Sequence, residues 1–109
     1  MALIVHRIAL QMARQIRPLL DEIGRHDGKL KDQLQRATAS VVLNLGEATY
    51  SQGGNGLARF YSAAGSASET RAGLQLALAW DYVDPGAARE VDELLHRILA
   101  MLWRLCRRR

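Results

Sequence analysis

Two carboxylates, Glu47 and Glu69, fall inside apolar helical patterns. A pair of half-buried acids can hold a metal ion or move a proton. A di-metal site in a helical bundle asks for more: Glu-x-x-His motifs on two helices and further glutamates on the other two. No such motif occurs, and His6, His26 and His96 are dispersed along the chain. Ser40, Ser62, Ser66 and Ser68 have no histidine placed by a recognisable motif to activate them, so they read as small packing residues rather than nucleophiles. The run from Ser51 to Gly56 (SQGGNG) is glycine-rich but lacks the lysine and the preceding strand of a phosphate loop. Cys106 lies among arginines, which would lower its pKa at an exposed position. A plain late-helix residue is the simpler reading. These residue types point away from an enzyme, with no metal and no cofactor.

The carboxylates make better sense as part of a row. From Leu30 to Tyr50, an apolar stripe (Leu30, Leu34, Ala37, Val41, Leu45, Ala48) runs beside a polar one: Gln33, Arg36, Ser40, Asn44 and Glu47. Both step by three or four residues, so both are straight rows on one helix, about 100° apart. The polar row reads as half-buried and paired with a neighbouring helix. Its expected partners are Ser66 and Glu69, giving a structural network of Gln33, Arg36, Ser40, Asn44, Glu47, Ser66 and Glu69. Because a buried carboxylate needs a cation, Arg36 is the expected counter-charge for one glutamate. Arg59 or Arg71 is available to the other.

Four helices carry these rows. Helix one spans roughly Ala2 to Ile23, with a seam of Ile4, Ile8, Met12, Ile16, Leu19 and Ile23. Pro18 inside it predicts a kink near Arg14 to Pro18, and Gly24 is the expected C-terminal cap. Asp27 is placed to cap helix two, which runs to about Tyr50 and turns Leu43 and Tyr50 outward. SQGGNG is the second turn and the most flexible stretch by composition. Helix three spans about Leu57 to Asp81. Leu57, Phe60, Ala64, Ala67, Leu74 and Leu78 share one face, while Ala58, Gly65, Ala72 and Leu76 lie roughly opposite. A helix that is small or apolar on both sides is expected to be buried on both, so its second side should meet another subunit. Asp84-Pro85 starts helix four as N-cap and first helical residue, with a seam of Val91, Leu95, Ile98, Leu102 and Leu105. The expected fold is all-α, an antiparallel up-down-up-down four-helix bundle forming one domain over residues 1–109.

The bulk properties agree. The 109 residues suffice for one core. Only six are aromatic, which suits close-packed helices better than strands. No apolar run approaches the roughly 18 residues of a membrane span, and Met1 to Leu10 does not read as a secretory signal. One cysteine permits no internal disulfide, which suits a reducing cytoplasm. The net charge of +4 is unevenly spread. In an up-down bundle one pole gathers nine acids and four bases, leaving eleven bases and two acids for the rest of the chain. Arg7, Arg59, Arg104, Arg107, Arg108 and Arg109 should lie at the basic end and form a candidate nucleic-acid contact. The plainer reading of the polarity is helix-macrodipole matching and solubility.

The stretches Gln33 to Ala48 (QLQRATASVVLNLGEA) and Phe60 to Leu74 (FYSAAGSASETRAGL) resemble the two signatures of the bacterial four-helix bundle proteins first noticed as reading frames in intervening sequences of large-subunit ribosomal RNA genes. The matches are Gln33, Arg36, Ala37, Ser40, Asn44, Glu47, Ala64, Gly65, Ser66 and Glu69. Gly46 and Ala48 exchange the alanine and glycine that flank the glutamate in the family pattern. The resemblance covers nearly the whole chain and implies a homopentamer. The chain is also distantly similar to the accessory variability determinant of diversity-generating retroelements, a basic pentamer that binds nucleic acid and a reverse transcriptase; this is a likeness of fold.

Two function classes follow. One is a non-enzymatic homo-oligomeric scaffold that contacts RNA, DNA or a nucleic-acid enzyme through its basic pole. The other is a protein–protein interaction module without nucleic-acid contact. No membrane role is expected.

Overall fold

A computed structural model describes residues 1–50 and 56–107, so the expectations placed on the SQGGNG turn before Gly56, and on Arg108 and Arg109, lie outside the described residues. The described residues form four helices: α1 (Ala2–His26), α2 (Gly28–Tyr50), α3 (Gly56–Ala79) and α4 (Pro85–Arg107). α1 packs against α2 and α4, and α3 packs against the same two. Each helix therefore touches two neighbours around a shared core, a four-helix bundle 42 Å long and about 20 Å across.

Amphipathic spacing explains most of the core. Ile8, Met12, Ile16, Leu19 and Ile23 of α1 are buried, as the seam requires. Ile4 departs from it: it is more than half exposed, and Val5 takes the buried place one residue later. Val5 opens the continuous ridge with Ile8, Ala9 and Met12 at the helical spacing of three and four. α1 runs unbroken through Pro18. Pro18 and Arg14 are both exposed, on the side where water can replace the lost amide donor.

The turns show where local chemistry decided. Gly24 does not end α1. The helix continues to His26, and Asp27 alone makes the corner, with an extended backbone whose amide bonds the carbonyl of Ile23. The same residue caps α2, its Oδ1 accepting from the amide of Leu30 at 3.0 Å. α3 stops at Ala79, two residues short of the expected Asp81. Asp81 adopts φ 59°, its amide bonds Leu78, and the amide of Tyr82 reaches back to Ala77. That is a Schellman ending, built on aspartate where glycine is usual. Asp84 then caps α4, its Oδ2 accepting from Ala87. The first turn of α4 carries no acid of its own, so Asp84 provides the negative charge there.

Candidate interaction surfaces

The polar row is split by depth. Its middle is half-buried between α2 and α3. Ser40 and Ser66 share a hydroxyl–hydroxyl bond of 2.7 Å. The Asn44 amide nitrogen donates to both Ser40 Oγ and the Ser40 carbonyl. Arg59 completes the cluster, donating to Asn44 Oδ1 at 3.3 Å and pairing with Glu47 at 3.4 Å. The ends of the row differ. Gln33, Arg36 and Glu69 are exposed, as is Glu47. Arg36 forms no ion pair with either glutamate among the described residues. The cation at Glu47 is Arg59, near the start of α3; Arg36 sits about three helical turns further from that end of α2.

Arg71 pairs with Asp92 of α4 and not with a glutamate. Its Nε donates to Asp92 Oδ1 at 2.8 Å and its Nη2 to Oδ2 at 3.2 Å, a two-pronged contact. His96 Nδ1 lies 3.4 Å from Arg71 Nη1. The bonded carboxylate holds the guanidinium pKa above its usual value. Nothing in the sequence marked this cluster, because its members belong to different helices and to no motif.

At the basic pole, Arg7, Arg104 and Arg107 are exposed. Arg104 and Arg107 flank a shallow hollow with Met1 and Leu105, which brings the start of α1 to the end of α4. The Arg107 Nε donates to the Trp103 carbonyl at 3.2 Å. Trp103 meets Tyr61 edge to face, and Tyr50 meets His6 in the same way, so exposed aromatic rings lie near the arginines. Cys106 is buried, and desolvation pushes its thiol pKa up, so the neighbouring arginines do not activate it. Among the described residues no three His, Cys, Asp or Glu side chains gather as a metal site would require. No helix among the described residues is long and apolar enough to cross a membrane.

Two apolar features remain on the flanks. α3 buries Ala63, Ala64, Ala67, Leu74 and Ala77 on one face, yet exposes Ala58, Gly65, Ala72 and Leu76 on the other. Leu43 and Tyr50 of α2 are 69% and 67% exposed. Between α1 and α2 lies a groove of about 460 Å³, walled by Leu10, Ala13, Val42 and Leu43 with Arg17 beside them. Thr38 lines it, and the Thr38 hydroxyl is buried with no hydrogen-bond partner among the described residues. Leu43, turned outward by the helical period, was the hint of that groove in the sequence.

The comparisons fit this architecture. A protein of unknown function from the S23 ribosomal protein family of Bacteroides thetaiotaomicron has a similar fold, with a TM-score of 0.87 over 95% of this chain and 99% of that chain. The two share 20% sequence identity, so the likeness speaks for the fold alone. Among curated proteins no relative of the chain is found. A family model of the 23S rRNA-intervening sequence proteins matches residues 1–104, so the chain belongs to that family.

Proposed function

We propose that the protein is a non-enzymatic homo-oligomeric scaffold, a pentamer by its family resemblance, that meets nucleic acid through its basic pole in the cytoplasm. The observation that carries the assembly is α3, small or apolar on opposite sides, with one side uncovered in the single chain. Exposed small residues and Leu76 on α3, together with exposed Leu43 and Tyr50 elsewhere on the flanks, are characteristic of surfaces that another chain covers. The nucleic-acid contact rests on the exposed Arg7, Arg104 and Arg107 with neighbouring Trp103 and Tyr61. A ring repeats that patch, and several weak phosphate contacts combine through effective concentration. No base-reading motif accompanies it, so binding is sequence-independent.

Light scattering at micromolar concentration tests the assembly, and a stable monomer overturns it. Anisotropy titration at low salt with both RNA and DNA tests the contact. Failure to bind either below roughly 10⁻⁴ M leaves the second reading, a protein–protein interaction module. That reading is favoured by Arg59, whose guanidinium is already engaged by Asn44 and Glu47 and is less free for phosphate. A pull-down from native lysate with and without nuclease separates the two.

A further inference from the structure

We propose that the groove between α1 and α2 receives the α3 face of a second copy of this chain, with Arg17 of one protomer paired to Glu69 of the next. The proposal rests on the homo-oligomer reading above and names the surfaces and charges that carry it.

Three observations converge. The first is charge. Glu69 is the one acid of α3, and it stands on the stripe of exposed Ala58, Gly65, Ala72 and Leu76. Arg17 stands beside the apolar groove on the other flank of α2. Neither has an ion-pair partner in its own protomer among the described residues, whereas Lys31 and Asp21 beside the same groove lie 3.9 Å from each other. The second is height. Arg17 lies 15 residues from the start of α1 at Ala2, and Glu69 lies 13 residues from the start of α3 at Gly56. At the helical rise, both stand about 20 Å from the basic pole. Thr38, 12 residues before the end of α2 at Tyr50, stands at nearly the same level. Its hydroxyl is buried, so Thr38 marks the level of the groove without reaching the incoming carboxylate.

The third is direction. The groove and the α3 stripe lie on adjacent sides of a four-cornered bundle, on either side of α2. Joining one to the other is a head-to-tail contact that turns through roughly a right angle at each step. With equal heights along the axis there is no net climb, so the contact closes into a ring of about four or five copies rather than a filament. Every basic pole then faces the same way.

The test is a reciprocal charge swap read by light scattering. Arg17 and Glu69 are both exposed, so the substitutions leave the helical core intact. The full chain is expected to form a ring, while Arg17→Glu alone and Glu69→Arg alone run as 12.1 kDa protomers with unchanged helical circular dichroism. The double variant, which restores opposite charges, is expected to recover the ring. Single variants that keep the parent's size overturn the proposal, as does a folded double variant that stays monomeric. A ring indifferent to both swaps removes this seam but keeps the homo-oligomer, whereas a monomeric parent removes both.

Discussion

At the scale of single residues, the two arginine–carboxylate pairs differ in kind. Arg71 and Asp92 are 31% and 25% exposed and bond in two-pronged geometry between α3 and α4. Arg59 and Glu47 are more exposed and meet at 3.4 Å. Exposed pairs contribute little because water screens them and long side chains lose freedom to form them. Asp92→Ala is therefore expected to destabilise by about 1–2 kcal/mol, and Glu47→Ala by less than about 0.5 kcal/mol, in chemical denaturation. Equal costs would show that geometry does not distinguish the pairs. Cys106 gives a pH dependence. Burial favours its neutral thiol in the fold, so its folded pKa exceeds the unfolded one. The resulting stability is complete below about pH 8.5 and is lost as pH rises from there through the raised folded value. Cys106→Ala should flatten that alkaline loss in a melting series. The sequence could be read for the Ser40 and Ser66 positions, because helical period alone puts polar residues into one row. It could not show which arginine meets Glu47, since that depends on how α2 and α3 stand after their turn.

At the scale of elements, glycines make the clearest contrast. A Cβ on Gly73 would come within 2.5 Å of Leu34 Cδ2, a buried side chain wedged between α2 and α3. A Cβ on Gly24 would meet only the middle of Lys31, a flexible, half-exposed side chain that can swing aside. Gly73→Ala is expected to cost about 1–3 kcal/mol by overpacking. Gly24→Ala is expected to gain about 0.5–1 kcal/mol from helix propensity, because α1 continues past that residue. Thermal melts of the two variants should move in opposite directions; a shared sign would mean that the α2–α3 spacing yields easily. This also explains why glycine misled as a boundary signal. Composition makes Gly24 look like a cap, yet Asp27 already satisfies both helix ends there. The Asp27 and Asp84 caps were readable because each acts within three residues of itself. The Asp81 turn was not, because aspartate occupies a left-handed position where glycine is the usual marker.

At the scale of the whole molecule, the order and pairing of helices followed from seam periodicity and short turns, while the uncovered flanks needed the folded shape. If the basic pole binds polyanions, removing its charges should weaken RNA and DNA alike. Arg104→Ala with Arg107→Ala is expected to reduce the slope of log affinity against log salt by about 2, measured by anisotropy from low to physiological ionic strength. An unchanged slope would move the contact elsewhere. The separation of charge has one more consequence. A rod 42 Å long with acids at one end and arginines at the other is an electric dipole along its own axis. Copies set side by side with the same end up align those dipoles in parallel, and parallel neighbours repel. Added salt screens that repulsion and also screens phosphate binding. One titrant should then act unequally: nucleic acid lets go as salt rises, whereas the ring, in which salt screens both the repulsion between dipoles and the Arg17–Glu69 attraction, changes far less.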